Sequence, residues 1–516
     1  MYKYDMLDLT PILKLYSHYR LNQQKKINTF VQQEKELFSL LLKAKDTKFG
    51  KDHGFSSIKS ILDYQRNVPL RKYEDFWQEY WKPCFPILNN CTWPGLVKKF
   101  PVTSGTTSGT TKYIPLTAEM EKSNTKSAFD LLAYHIDNYK NSSLLSGKNF
   151  FLGGSTNFVK EAPNVVSGDL SGMVAKNIPF FIKPFYFPPE ELALISNWEE
   201  KIAVFAEKSL NENIKLISGV PAWMLLFFDK LFELRPEAER KLQNIFPNLE
   251  VIVHGGVNFA PYLKQFQQLI IGSKVQFREV YPASEGFLAI GDKGYNEGLR
   301  LNIDNGIFYE FIPVEELDSK NPTRHWIATV EKDVNYAIVL TTCAGLWSYI
   351  IGDTIKFVDT ANPKILITGR TSYSLSAFGE HLIAEEIDDG ITTAANDINL
   401  SVPDYSVGPI FPSSEKELGG HLYFVEFKER LPIDEEIKRF SQILDRRLCE
   451  RNEDYKAHRA DGFGLNPPSV IALPAGTFAN WMKSRGKLGG QNKVPRIITD
   501  LELFKNLQKF CKDSNE

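Results

Sequence analysis

Between Leu249 and Gly286 the sequence sets a buried strand, a glycine turn, a helix and a second strand end to end. The run "LEVIVHGG" (249–256) is nearly all apolar and stops at two glycines. "YLKQFQQLI" (262–270) repeats its apolar residues at helical spacing, and "VQFREVYPASEG" (275–286) reads as a strand ending in a turn. A strand buried on both faces needs helices to cover it, so this order predicts an α/β sheet with helices packed on its sides. The same alternation runs upstream. Helices are expected over 31–46, 117–139, 190–209 and from Pro221, and a strand in "NFFLGG" (149–154). Thr117 is placed to cap the second helix, with Glu119 and Glu121 in its first turn.

From about 287 to 369 the pattern turns strand-rich, through "LRLNI", "IFYEFIPV", "YAIVLTT", "DTIKFVD" and "KILITG". This predicts a smaller, mainly antiparallel β unit appended to the first. The polar stretch "TGRTSYSLSAFGE" (368–380) reads as a hinge. Beyond it a helix near 381–396, a strand over 421–428, a helix over 433–452, the strand "SVIALP" and a helix over 475–485 predict a compact α+β unit. The expected fold is α/β: a large N-terminal α/β domain over 1–370 with its appended β unit, and a small C-terminal α+β lid domain over 371–516. A chain of 516 residues, 43% hydrophobic and 24% charged, is long enough for that arrangement.

Charge and cysteine usage narrow the function. A net charge of −2 offers no basic stripe for nucleic acid or an anionic membrane surface. The five cysteines are scattered without a C-x-x-C, and no H-E-x-x-H occurs, which disfavours a zinc ribbon or disulfide framework and favours reduced thiols. The start "MYKYDMLDLT" has no apolar core of a signal peptide, and no run approaches a membrane span. The expectation is a cytoplasmic protein, monomeric by default.

Four stretches carry chemistry. "TSGTTSGTTK" (103–112) sets hydroxyls among two glycines ahead of a helix, which suits an anion held by backbone N–H groups and hydroxyls. It lacks the Gly-Lys of a Walker loop. Alone, it reads equally as a Ser/Thr-rich surface linker. "YPASEG" (281–286) ends a strand with a carboxylate, a hydroxyl and an aromatic face, where α/β sheets bind ligands; alone it is also an ordinary turn. "YIIGD" (349–353) offers Asp353 to ribose hydroxyls or forms a common Gly-Asp turn. "SRGKLGGQNKVPR" (484–496) is a glycine-rich loop with lysines, suited to deliver positive charge or to sit in solvent as a basic tail.

Their order resembles the core motifs of the adenylate-forming superfamily. Within it, "YPASE", "YIIGD", "QNKVPR", "SGVPAWM" (218–224) and "FLGGSTN" (151–157) are most similar to the auxin-responsive acyl acid amido synthetases, the Gretchen Hagen family. The resemblance spans about 100–496. It implies a luciferase-like architecture. It implies an enzyme that activates a carboxylic acid with ATP and Mg2+ and passes the acyl group to an amino acid. Carried over by motif, Ser104, Gly105, Thr106, Thr107 and Gly109 would cradle the phosphates. Tyr281 would lie beside the adenine with Gly255 and Gly256 at its edge, Ser284 would meet the α-phosphate, and Glu285 would hold Mg2+. Asp353 would hold the ribose, Arg370 would reach the nucleotide after lid closure, and Lys493 would be the catalytic lysine, with Lys487 as rival. Trp223 is a candidate for the acid pocket. Plant members usually carry Ser-Ser before the glutamate, whereas this chain has Ala283-Ser284. The alternatives are an acyl-CoA ligase with the same first step and a non-catalytic nucleotide- or acid-binding relative.

Overall fold

A computed structural model describes residues 7–513 apart from 104–111, 154–157, 177, 179–181, 194, 196–197, 258, 260–261, 296, 318, 372–373, 381, 413–416, 461–463 and 486–493. A twelve-stranded sheet organises the large N-terminal part. On one side of it, Lys148–Leu152, Ile214–Gly219, Val251–Gly255 and Gln276–Ala283 run parallel in that spatial order, with the short Tyr186–Phe187 at the edge. Helices such as Trp198–Ser209 and Pro221–Leu234 join the parallel strands, as the alternating sequence requires.

The strands after residue 286 form the antiparallel β unit, and it is joined edge to edge to the parallel half within the same sheet. Gly286–Ile290 folds back on Gln276–Ala283 through the turn at Ser284–Glu285, and the ladder then runs through Leu299–Leu301, Lys364–Arg370, Tyr349–Asp359, Asn335–Thr342 and Ile307–Pro313. Composition marks this half as antiparallel, but only the tight turn at 284–285 decides that its edge is shared. Its faces are buried under the N-terminal helices. Helix Thr29–Ala44 is capped by Asn28, whose carbonyl oxygen accepts from the backbone N–H groups of Phe30 and Val31 at 3.1 Å, and it buries Leu37, Leu40, Leu41 and Ala44 at helical spacing.

Helix Ala118–Asn138 begins where its cap predicts: the Thr117 hydroxyl accepts from Met120 N–H at 3.1 Å. The expected helix near 190–209 is two pieces, Glu190–Ala193 and Trp198–Ser209.

The small C-terminal part holds a three-stranded sheet, Asp404–Ile410, Gly420–Glu426 and Ser469–Leu473, under helices Ala384–Asp397, Asp434–Arg451 and Thr477–Ser484. The strand Asp404–Ile410 and the helices Glu453–Arg459 and Leu501–Asp513 were not anticipated from sequence. This part shares a hydrophobic core with the large one: Leu375, Phe378 and Leu382 pack with Phe227, Phe228 and Phe266. Tyr262 donates its hydroxyl hydrogen to the Ala377 carbonyl at 2.8 Å across the same boundary. All five cysteines are free thiols. Among the described residues, no helix is long and apolar enough to cross a membrane.

Candidate active site

A cleft of about 1940 Å³ opens at the carboxyl ends of the parallel strands. Leu152 and Gly153, Gly219 and Val220, Gly255 and Gly256, and Ala283 and Ser284 each stand where one of those strands runs out, and all line the cleft. This is where open α/β sheets hold ligands, because the loops diverge there and leave the strand ends uncovered.

Three segments that the sequence singled out separately meet at its mouth. Tyr281 donates its hydroxyl hydrogen to Asp353 Oδ2 at 2.5 Å. Arg370 faces Asp353 across paired strands, with Nε 2.9 Å from Oδ1, an ion pair whose N–H is not aimed squarely at the oxygen. Tyr349 donates to Glu285 Oε1 at 3.1 Å. The stretch "YIIGD" is therefore not a turn; it opens the strand Tyr349–Asp359.

Burial sets the electrostatics. Glu285 is 9% exposed, and burial pushes its carboxyl above the usual range; the charge of Lys112 and the Tyr349 hydrogen bond only partly offset this. Burial pulls the Lys112 ammonium down, against the pull of Glu74 and Glu285. Lys112 lies over the Tyr73 ring, 5.3 Å from its centroid. Sequence reading noted Lys112 only as the lone base of the Ser/Thr stretch and gave Tyr349 no role. Strand Lys99–Thr103 pairs antiparallel with Lys112–Tyr113, so both ends of the Ser/Thr stretch are held at the cleft, and Lys112 interacts electrostatically with Glu285. Ser104, Gly105, Thr106, Thr107 and Gly109 themselves lie outside the described residues, as do Lys487 and Lys493.

Gly255 and Gly256 line the same cleft. Gly255 pairs with Val280, and a Cβ on it would stand 2.4 Å from the Val280 carbonyl oxygen. Backbone cannot step aside as a side chain can. Gly255→Ala is expected to wedge two central strands apart at a cost of about 1–3 kcal/mol, read as a lowered midpoint in urea denaturation. Beside it, His254 stacks on Phe259 with ring centroids 3.6 Å apart, and burial pulls its imidazole down to about 3, so it is neutral near pH 7. Its strand partner Glu279 also lines the cleft, and burial raises that carboxyl to about 7. Neither was found from sequence, because polarity inside a strand gives no sign of which face it uses.

The cleft is otherwise mostly apolar. Phe129, Leu132, Phe151, Leu170, Val174 and Tyr186 are among the residues that line it. Trp223 also lines the cleft, though its ring is 6% exposed and rests on His458 of the C-terminal part.

Comparison with known proteins agrees with this architecture. The GH3.15 acyl acid amido synthetase superposes with a TM-score of 0.60 at 17% identity, covering 98% of this chain and 97% of that one. A 2-hydroxyisobutyryl-CoA ligase superposes with a TM-score of 0.56 at 14% identity, covering 93% and 91%. The chain shares the fold of these two enzymes. In sequence, the chain is 24% identical over 277 residues to indole-3-acetic acid-amido synthetase GH3.3 of Arabidopsis thaliana, covering 50% of this chain and 45% of the relative. It is 25% identical over 280 residues to a probable indole-3-acetic acid-amido synthetase GH3.9 of Oryza sativa subsp. japonica, covering 50% and 62%. The chain thus spans about half the length of the curated relatives it matches. Family models for the GH3 N-terminal domain at 20–275, the central domain at 301–370 and the C-terminal domain at 385–502 match in order along most of its length, and the chain belongs to the GH3 family.

Proposed function

We propose that the protein is an ATP-dependent ligase that adenylates a carboxylic acid and transfers the acyl group to the amine of an amino acid. The convergence of Tyr281, Glu285, Asp353 and Arg370 at the mouth of an apolar cleft carries this reading. The amido synthetase names of its relatives support it.

The chemical difficulty lies in the first step. A carboxylate must approach a triphosphate, and two like charges 4 Å apart near a protein surface repel by about 4 kcal/mol. In our assignment, the ribose hydroxyls donate to Asp353, which frees the Arg370 guanidinium from its ion pair to face the phosphates. Tyr281 anchors Asp353 from below, and Ser284 and the Ser/Thr stretch meet the phosphates. Glu285 fits Mg2+, an ion commonly held by one or two protein carboxylates while substrate phosphates complete its shell. Mg2+ bound with ATP would spread the phosphate charge. In this reading the apolar lining excludes water from the acid and strengthens every one of these interactions. The division at residues 370 and 371 is assigned to a lid that closes over the nucleotide, bringing Lys493 to the α-phosphate. The five reduced thiols fit a cytoplasmic setting.

The test is acid-dependent ATP–pyrophosphate exchange across a library of carboxylic acids, followed by product analysis with an amino acid mixture or coenzyme A. Exchange together with amide product is expected. Thioester product instead would reassign the acceptor, and no exchange with any acid would overturn the reading. In the same assay Lys493→Ala is expected to lose about 2.7–4 kcal/mol of transition-state stabilisation, a hundredfold or more in rate, while Lys487→Ala stays near wild type. The reverse ranking would move the catalytic role to Lys487.

A further inference from the structure

On the lining of the cleft, a buried histidine nitrogen without a partner among the described residues stands beside a glycine. His458, 7% exposed, sits on the short helix Glu453–Arg459 and lines the cleft with Asp454 and Ala457. Its Nδ1 is 2.7 Å from the Asp454 carbonyl oxygen. A carbonyl only accepts, so Nδ1 carries the hydrogen and Nε2 carries the lone pair. Nε2 is buried and has no hydrogen-bond partner among the described residues. Such an atom is costly unless something meets it.

Gly379 faces Nε2. It has φ +100°, and a Cβ there would stand 3.3 Å from Nε2. Val220 bridges this spot to the strand-end glycines: the Cβ position of Gly379 is 4.0 Å from one Val220 methyl, and that of Gly256 is 3.8 Å from the other. Nε2 therefore lies near the same strand ends that border the candidate nucleotide site. The ring is held from behind by Trp223, with centroids 4.9 Å apart and planes tilted 46°. Glu380 is fully buried next to Gly379. It accepts from His421 Nε2 at 2.8 Å and from the N–H groups of Ala377 and Phe378 at 3.1 and 2.7 Å, and it is near enough to His458 to feel its charge. An imidazolium formed at His458 would thus have an anionic neighbour in a dry setting.

We propose that His458 is the general base of the amide-forming step. The inference rests on the acid–amino acid ligase reading above. An amino acid arrives as an ammonium, which has no lone pair with which to attack. His458 Nε2 takes one ammonium proton, and the freed amine attacks the acyl carbon of the acyl-adenylate. The new C–N bond forms as the acyl C–O bond to the phosphate breaks. The second proton lost by nitrogen leaves on the phosphate of the departing AMP. Glu380, whose carboxylate interacts electrostatically with His458, takes no part in the transfer.

The experiment compares wild type, His458→Ala and His458→Gln in acid-dependent pyrophosphate exchange, and in product formation with an amino acid or with hydroxylamine. Hydroxylamine is so weakly basic that it is largely neutral at neutral pH and needs no base. In both variants the ratio of amide to hydroxamate rate is expected to fall about a hundredfold or more, with exchange preserved. Glutamine retains a side-chain N–H for the Asp454 carbonyl, so its result stands if the alanine variant misfolds. If both products fall together, or if neither falls, the assignment is overturned. Absence of exchange in the wild type would instead sink the adenylation reading and this inference with it.

Discussion

Glu285→Gln is expected to lower acid-dependent ATP–pyrophosphate exchange about a hundred- to a thousandfold while leaving the protein at least as stable as wild type at neutral pH. Both halves follow from burial. Glutamine matches the shape of glutamate and still accepts from Tyr349, now 3.1 Å from Glu285 Oε1, so packing is kept and only the charge goes. The folded-state pKa of Glu285 is raised by burial. Well below the ordinary carboxylate pKa, the group is protonated folded and unfolded alike and costs nothing. As pH rises through the raised folded value, the unfolded chain ionises more readily, and folding loses stability. At neutral pH the wild type therefore carries an electrostatic cost that Gln removes. Thermal unfolding scans at pH 7 and exchange assays on the same preparations check the pair of effects. A variant that loses stability along with exchange would show Glu285 to be structural. A carboxylate whose ionisation costs stability is what a functional site, rather than a core, retains.

The parts of this molecule that were readable from sequence are those whose signals are local. The Thr117 cap, the glycine-ended strand Val251–Gly255 and the apolar face of Pro221–Leu234 each announce themselves within a few residues. The motif residues Tyr281, Glu285, Asp353 and Arg370 were readable as candidates. Their meeting was not, because Tyr281 and Asp353 are 72 positions apart and only strand pairing brings them together. Strand register likewise hides Glu279 and His254, which read as stray polar residues until their shared face is known. His458 gave no sign at all. Its tryptophan neighbour and the glycine beside it come from two distant segments, and no spacing rule links them to it. Helix Thr10–Gln24 is the strongest case of the same kind. Its sequence matches no motif, yet it carries the most heavily shared ion cluster among the described residues.

That cluster sets the largest stability effect. Arg20, 5% exposed, donates from Nε and Nη2 to both oxygens of Asp130 at 2.8 and 2.6 Å, and from Nη1 and Nη2 to Asp304 at 2.7 and 2.9 Å. Tyr16 and Gln24 also donate to Asp130, at 3.1 and 3.2 Å. One guanidinium thus ties the N-terminal helix to helix Ala118–Asn138 and to the turn before strand Ile307–Pro313. Arg20→Met fills similar volume but leaves two carboxylates buried without their main counter-charge. The expected loss is about 3–5 kcal/mol, seen as an earlier urea midpoint. Adding Asp130→Asn to Arg20→Met removes one stranded charge and should recover part of that loss; a double variant no better than the single would show that volume, not charge, is at stake. The pH dependence has the opposite sign to that of Glu285. Burial would raise the Asp304 carboxyl, but the Arg20 hydrogen bond and the charge of Lys126 outweigh it and hold the pKa below its ordinary value. Stability from this group is therefore fully present above the ordinary carboxylate pKa and is lost as pH falls through the lowered folded value. Arg20→Met should flatten that acid-side loss in wild-type unfolding curves, because the group that depresses Asp304 most is gone. Helix Ala118–Asn138, which Arg20 holds, also lines the cleft with Phe129 and Leu132. A weakened cluster should then raise the KM for the acid before it lowers kcat.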